Sequence, residues 1–308
     1  MHTLQNIIEA NWSRISKGPK PARLAFIVLY RTFLVFKDNQ RTPFMVIKYS
    51  HDNSLEHEFD NLRRINKLLP NETPEPYFYD TLGHYHLLGE RFKHGTKVTN
   101  LSLTKGLLQN IFHTLIRFHK ASYQGNFSLD NEHMDEMVIK PFSQFLKINP
   151  SKFLQSELSQ LLDTITGIKA CHLPWIPQHC DFCLLNILFD DITNKVYIID
   201  WADFGKTYLP LYDAFLLIIN YYCRPEKFSL FLEDNVINKN LVKSLTLYLQ
   251  HFKIDKRWVR TLFFISLITF FNQNYPDRKE ALGHFKEFII FCFKNKDKIF
   301  FNKILQSI

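Results

Sequence analysis

Apolar residues cluster in short, β-branched runs over the first ninety positions and then settle into a helical period. Residues 24–36 (LAFIVLYRTFLVF) are dense in β-branched and aromatic side chains, and a turn at 38–40 leads to a second run, PFMVIKYS, opened by Pro43. Leu55, Phe59, Leu62, Ile65 and Leu69 then recur at helical spacing behind a candidate N-cap, Ser54, until TPEP at 73–76 breaks the helix. Short strands are expected near 77–79 and 84–90. Beyond Arg91 the period predicts amphipathic helices over 103–121, 154–168, 211–222, 241–252 and 258–271, and a last, basic one over 281–293. Two short strands, 186–189 and 195–199, flank the turn-rich DDITN. The pattern predicts an α+β chain: a small antiparallel sheet with one helix in residues 1–92, and a larger, mostly helical part in 93–308. No internal repeat is visible.

Composition changes this picture little. Nine Gly in 308 residues exclude a low-complexity chain, and the thirty Phe are spread along it as core residues. Five Cys do not make a disulfide framework at this length. The N-terminus, MHTLQNIIEANWSRI, lacks the basic start and apolar run of a secretory signal. The most apolar stretch, 262–271, is about half the ~20 residues of a membrane span. A soluble, cytoplasmic protein is expected. The net charge is +8, and residues 240–308 carry twelve Lys and Arg against five Asp and Glu. Such a segment is either a solvated basic face or a contact for an anionic neighbour, including a peripheral membrane surface. Nucleic acid is not expected, because the aromatic residues there lie at helical core spacing rather than as a stacking platform.

The densest chemistry lies in QHCDFCLLNILFDDITNKVYIIDW. It places His179, Asp181 and Asn186 in one loop, and Asp200 at the end of a predicted hairpin. The Asp-to-Asn spacing is that of the H-R-D-x-x-x-x-N loop of protein kinases. Phosphoryl transfer asks a protein for positioning and charge neutralisation. An aspartate must orient the acceptor hydroxyl and take its proton, and hard oxygen ligands must hold Mg²⁺ against the phosphates. Singly, Asp181, Asn186 and Asp200 read equally well as turn or strand-end residues. In this order on a loop and hairpin they read as a site.

These residues resemble the aminoglycoside phosphotransferase and choline kinase superfamily over nearly the whole chain. That family's pattern is roughly H-G-D-x-x-x-x-N-I-L, I-D-W-E and then G, P and D-L; this sequence has HCDFCLLNIL, IIDWADFG and YLPLYDAF. The resemblance implies a two-lobed protein-kinase-like fold and an ATP- or GTP-dependent small-molecule kinase acting on an alcohol group. It implies Asp181 as catalytic base, His179 as a brace of the loop, Asn186 and Asp200 as Mg²⁺ ligands, and Asp213 as a structural carboxylate. PFMVIKYS resembles the kinase V-A-I-K strand, which makes Lys48 the candidate for the α- and β-phosphates. Placed at 100° steps, Glu58 falls about 40° from the apolar stripe of its helix and Glu56 about 120°, so Glu58 is the expected partner of Lys48. HLLGERF at 86–92 looks like the family's hinge strand, with Glu90 and Phe92 flanking the purine. LIRFHKAS at 115–122 resembles its L-x-x-L-H helix. Three positions depart from the pattern. SKGPKPA at 16–22 has one glycine where a phosphate loop belongs, so it either binds phosphate through Lys17 and Lys20 or is malformed. Cys180 replaces a glycine, and Ala202 stands where an acid is frequent.

Two other readings compete. A kinase fold kept as a non-catalytic nucleotide- or partner-binding module would suit the poor phosphate loop. Cys180 and Cys183, with Cys171, His172 and His179 nearby, could bind zinc, although a second C-x-x-C is missing. His84 and His86 read as surface or packing residues. As acceptor, a sugar-like, nucleoside or amino-alcohol compound fits. The basic C-terminal segment favours a neutral or anionic polyol over a cation, since cation sites want carboxylates or aromatic cages.

Overall fold

The computed structural model describes residues 2–16, 20–27, 31–37, 40–100, 102–128, 131–166, 172–274 and 283–306. The chain divides into two compact units, Met1–Val98 with Leu185–Phe204, and Thr99–Leu184 with Gly205–Ile308.

The first unit opens with helices α1 (His2–Ala10) and α2 (Trp12–Ile15), followed by strands β1 (Arg23–Ile27), β2 (Thr32–Phe36) and β3 (Met45–Ser50). Helix α3 (Ser54–Leu68) comes next, then β4 (Pro76–Leu82), β5 (Tyr85–Arg91) and the two-residue β6 (Thr96–Lys97). Five strands form an antiparallel sheet in the order β1-β2-β3-β5-β4. The apolar run at 24–36 folds back on itself: Phe26 lies opposite Phe33, and Arg31 takes a left-handed φ of 46° between the strands. One sheet face is apolar, with Phe33, Val35, Met45, Ile47, Phe78 and Leu87, and α1 and α2 cover it with Leu4, Ile8, Trp12 and Ile15. Each such side chain, fully buried, contributes roughly 1.5–3 kcal/mol. Because side chains alternate along a strand, Val46 and Lys48 point away from this core. Phe44 precedes β3 and packs against the core. Gly89 sits opposite Phe78, where a Cβ would lie 2.3 Å from the ring, so only glycine lets the ring close over β5. The late hairpin of Ile187–Asp190 and Lys195–Ile198 belongs to this unit as well, because β6 pairs with its first strand.

The second unit is mostly helical, with α4 (Lys105–Ser122), β7 (Asn126–Ser128), α5 (Asn131–Met134), α6 (Lys140–Ile148), α7 (Lys152–Thr166) and β8 (His172–Pro174). After the hairpin come α8 (Tyr212–Tyr222), α9 (Val236–Phe252), α10 (Val259–Asn274), α11 (Gly283–Lys294) and α12 (Asn302–Gln306). The Thr104 hydroxyl caps α4 by accepting from the Leu107 N–H at 3.2 Å, and Asn235 caps α9 through the Asn238 N–H at 2.9 Å. Helix α10 is buried without a break from Thr261 to Ile268, so this stretch runs through the interior, packed on α8 and α6. Much of the phenylalanine collects here: Phe231 meets Tyr222, Phe263, Phe288 and Phe300 at centroid distances of 5.1–5.8 Å. Among the described residues no helix is long and apolar enough to cross a membrane.

Candidate active site

In the first unit a buried charge cluster gathers around Lys48. Glu58, turned inward from α3, forms an ion pair with its Nζ, and Glu90 Oε1 on β5 lies 3.8 Å from the same nitrogen. Glu58 and Glu90 are 4% and 5% exposed, whereas Glu56 faces solvent. Burial pushes the Lys48 ammonium toward deprotonation, but Glu58, Glu90 and Asp200 outweigh it and hold its pKa above the ordinary lysine value. One ammonium does not neutralise three carboxylates. Burial, with repulsion from Glu58 and Asp200, therefore pushes Glu90 up to about 7 against the pull of Lys48. Lys48 is thus paired with Glu58 beside a readily protonated Glu90.

The hairpin returns Asn186 and Asp200 to one end. Ile187 lies opposite Ile198, and the Ile199 N–H donates to the Asn186 carbonyl at 3.0 Å. Asp200 itself is held at a left-handed φ of 66°, a strained conformation for a residue other than glycine. The next residues in the chain are pinned from α3. The buried Asn61 amide donates to the Trp201 carbonyl at 3.1 Å, and the Trp201 indole donates to the Ile198 carbonyl at 3.1 Å. Glu58 and Asn61 are three residues apart, so one helix face holds both the lysine and the segment behind Asp200.

In the second unit a fully buried carboxylate organises the loop that carries Asp181. Asp213, in the first turn of α8, accepts from the backbone N–H of His179 at 2.7 Å and of Cys180 at 2.9 Å. Its Oδ2 also lies 3.0 Å from His119 Nε2 on α4, and His119 Nδ1 lies 2.6 Å from the Tyr248 hydroxyl on α9. Burial lowers the His119 pKa against the pull of Asp213, which keeps the ring neutral. A neutral ring with Nε2–H donating to Asp213 and Nδ1 accepting from Tyr248 satisfies both contacts. Gln178 completes the frame by accepting from the Asp213 N–H at 3.1 Å. The Asp181 N–H donates to His179 Nδ1 at 3.2 Å, so the buried His179 ring braces the half-buried Asp181. Cys180 adopts φ 69° here, which accounts for the usual glycine at this position.

The other expected positions are more scattered. Phe92 is half-buried, and its N–H is taken by the Phe44 carbonyl at 3.0 Å. Lys17 and Cys171 lie outside the described residues, as do the turn residues 38–39. Cys180 Sγ donates to the Gln178 carbonyl at 3.3 Å, and among the described residues no group of three His, Cys, Asp or Glu side chains could hold a metal. His86 Nδ1 bonds the Tyr79 hydroxyl at 2.7 Å, while His84 stacks on His51 at 5.3 Å. The sequence pattern does not single out Asn61, His119, Gln178 or Tyr248. It carries a signal for two of them: Asn61 shares the inward face of Glu58, and His119 lies in the LIRFHKAS helix.

Residues 30–234, about two thirds of the chain, match the phosphotransferase enzyme family. The chain belongs to that family. As a family member it is an ATP-dependent small-molecule phosphotransferase acting on an alcohol group. The solved structures it resembles have the same kinase-like fold. A glucosamine kinase aligns with TM-score 0.59 and 12% identity, covering 96% of this chain and 83% of that one. An aminoglycoside phosphotransferase from Streptomyces rimosus, solved with ADP and streptomycin, gives 0.54 and 15%, covering 87% and 99%. A choline kinase from Streptococcus pneumoniae gives 0.51 and 13%, covering 94% and 99%. At these identities the likeness speaks for the fold alone. No curated protein sequence matches the chain significantly.

Proposed function

We propose that this phosphotransferase moves the γ-phosphate of ATP to a hydroxyl of a small polyhydroxylated acceptor, with Asp181 as general base. The observation that carries the reading is the buried Asp213 carboxylate, which gathers the N–H groups of His179 and Cys180 and so fixes the loop beside Asp181. Positioning of this kind is what phosphoryl transfer requires of a protein. Asp181 accepts the acceptor's hydroxyl proton as the acceptor oxygen bonds to the γ-phosphorus. The bond from that phosphorus to the β–γ bridging oxygen breaks, and ADP leaves with the electron pair. Lys48, charged and steadied by Glu58, supplies a cation for the nucleotide phosphates.

Asn186 and Asp200 suit Mg²⁺: one amide oxygen and one carboxylate at the same hairpin end are hard donors, and this ion takes one or two carboxylates beside substrate phosphates. When bound, the ion would offset phosphate charge. Asp200→Ala should weaken nucleotide binding in the presence of Mg²⁺ at least tenfold (about 1.4 kcal/mol) and leave metal-free binding nearly unchanged. Calorimetric titration with ADP, with and without Mg²⁺, checks this. Equal losses in both conditions would remove Asp200 from the role.

A further inference from the structure

Tyr248, on α9, stands at the far end of a hydrogen-bonded chain that leads to Asp181. Its hydroxyl lies 2.6 Å from His119 Nδ1, and Nε2 of the same ring lies 3.0 Å from Asp213 Oδ2. Asp213 accepts from the His179 and Cys180 N–H groups at 2.7 and 2.9 Å, and the Asp181 N–H donates to His179 Nδ1 at 3.2 Å. All of these residues belong to the second unit. Tyr248, His119 and Asp213 are fully buried, so none of them has solvent as an alternative partner.

The direction of the chain is set at Tyr248. A phenol can give or take a hydrogen bond. Burial, with the Asp213 charge nearby, keeps this phenol protonated, and the Leu211 backbone N–H reaches its oxygen. The phenol proton is therefore free for His119 Nδ1. A neutral imidazole that accepts at Nδ1 carries its proton on Nε2, the one arrangement that offers Asp213 a donor. The opposite tautomer would set a lone pair against the carboxylate. Because Oδ2 is shared between the His119 ring and the His179 N–H, the ring also fixes how the carboxylate is turned toward the loop. Leu211 stands two residues before Asp213, at a left-handed φ of 68° that is strained for a residue other than glycine. Tyr248 thus reaches the support of Asp213 on two sides, through His119 and through the backbone that enters α8.

We propose that Tyr248 is a positioning residue for phosphoryl transfer: by fixing the tautomer of His119 it holds Asp213, and through Asp213 the loop that presents Asp181. The proposal rests on the phosphotransferase reading above, with Asp181 as its base. Tyr248→Phe keeps the ring and removes the hydroxyl. Tyr222→Phe is the control, because Tyr222 is as deeply buried and its hydroxyl bonds Asn238 on α9, toward the other end of α8 from Asp213. Hydrogen exchange of the full chain, read by mass spectrometry on peptides containing His179 and Cys180, reports the loop without any turnover. Tyr248→Phe should speed that exchange about tenfold, the worth of one buried hydrogen bond. It should also lower kcat roughly tenfold at unchanged KM for ATP, measured as transfer from γ-labelled ATP to glucose, galactose, mannose or water. Tyr222→Phe should lower the Tm and leave loop exchange and kcat as they are. In a His119→Gln background Tyr248→Phe should add little, because the ring it acts through is gone. Imidazole nitrogen-15 spectra should show His119 protonated on Nε2 in wild type and shifted toward the other tautomer in Tyr248→Phe. Unchanged loop exchange in Tyr248→Phe, an equal effect of Tyr222→Phe, or full additivity with His119→Gln overturns the proposal. The phosphotransferase reading fails separately: faster exchange in Tyr248→Phe with no phosphate transfer by wild type counts against that reading and leaves Tyr248 as the anchor of the loop.

Discussion

Asp213→Asn removes a charge and one acceptor from the centre of a three-donor site. The N–H groups of His179 and His119 converge on Oδ2 at 2.7 and 3.0 Å, and that of Cys180 meets Oδ1 at 2.9 Å. An amide keeps one oxygen. Placed toward His179 and His119, it turns its NH₂ against the Cys180 N–H; placed toward Cys180, it confronts the other two. At best one charge-assisted bond of about 1.5–3 kcal/mol is lost, and the two that remain fall to about half their strength as the acceptor becomes neutral. The sum is about 3–6 kcal/mol, a large share of the roughly 5–15 kcal/mol that holds a protein folded. Urea denaturation should show that loss at unchanged slope, with a Tm drop on the order of 10 °C. In the folded fraction kcat should fall, since the loop beside Asp181 loses its anchor, while nucleotide affinity stays close to wild type. A variant within about 1 kcal/mol of wild type would refute the reasoning.

Two further outcomes are expected from the same geometry. Cys180→Gly should be tolerated within about 1 kcal/mol, because the left-handed φ that glycine accepts freely offsets the lost packing, whereas Cys180→Val should cost about 2 kcal/mol or more in the same urea assay; equal tolerance of both would remove the backbone argument. Glu90 has a folded pKa raised to about 7 from an ordinary value of 4.5, so between those values the folded state holds more protons and stability falls as pH rises. The Tm difference between wild type and Glu90→Gln should therefore move against wild type from pH 4.5 to 7 and flatten above it, and a difference independent of pH would show that Glu90 stays ionised.

The parts of the site legible in the sequence are those carried by local periodicity or spacing. A 100° step per residue is enough to choose Glu58 over Glu56, and a two-residue alternation puts Lys48 on the face away from Met45 and Ile47. The hairpin is legible because DDITN interrupts two apolar runs. What escapes is long-range and neutral. Asn61 reaches Trp201 across 140 positions, and Tyr248 reaches His119 across 129. No pattern in either segment marks such a partner. The membership of the hairpin in the first unit depends on the Thr96–Lys97 strand, too short to show any period. Helices α1 and α2 escape because Leu4, Ile8, Trp12 and Ile15 mark only a few turns among polar residues, and their helical state is completed by the sheet face they cover. The hinge resemblance puts Glu90 beside the purine; the sheet register also turns its side chain to Lys48, two residues from the position opposite that lysine.

The most direct test is transfer of labelled phosphate from γ-labelled ATP to a neutral sugar, measured for wild type and Asp181→Asn with Mg²⁺ present. Wild type should yield a labelled sugar phosphate. Asp181→Asn should lower kcat by about 10²-fold or more while ADP affinity changes less than about twofold, a loss of under about 0.5 kcal/mol. Near-normal transfer by Asp181→Asn would contradict the role given to that carboxylate.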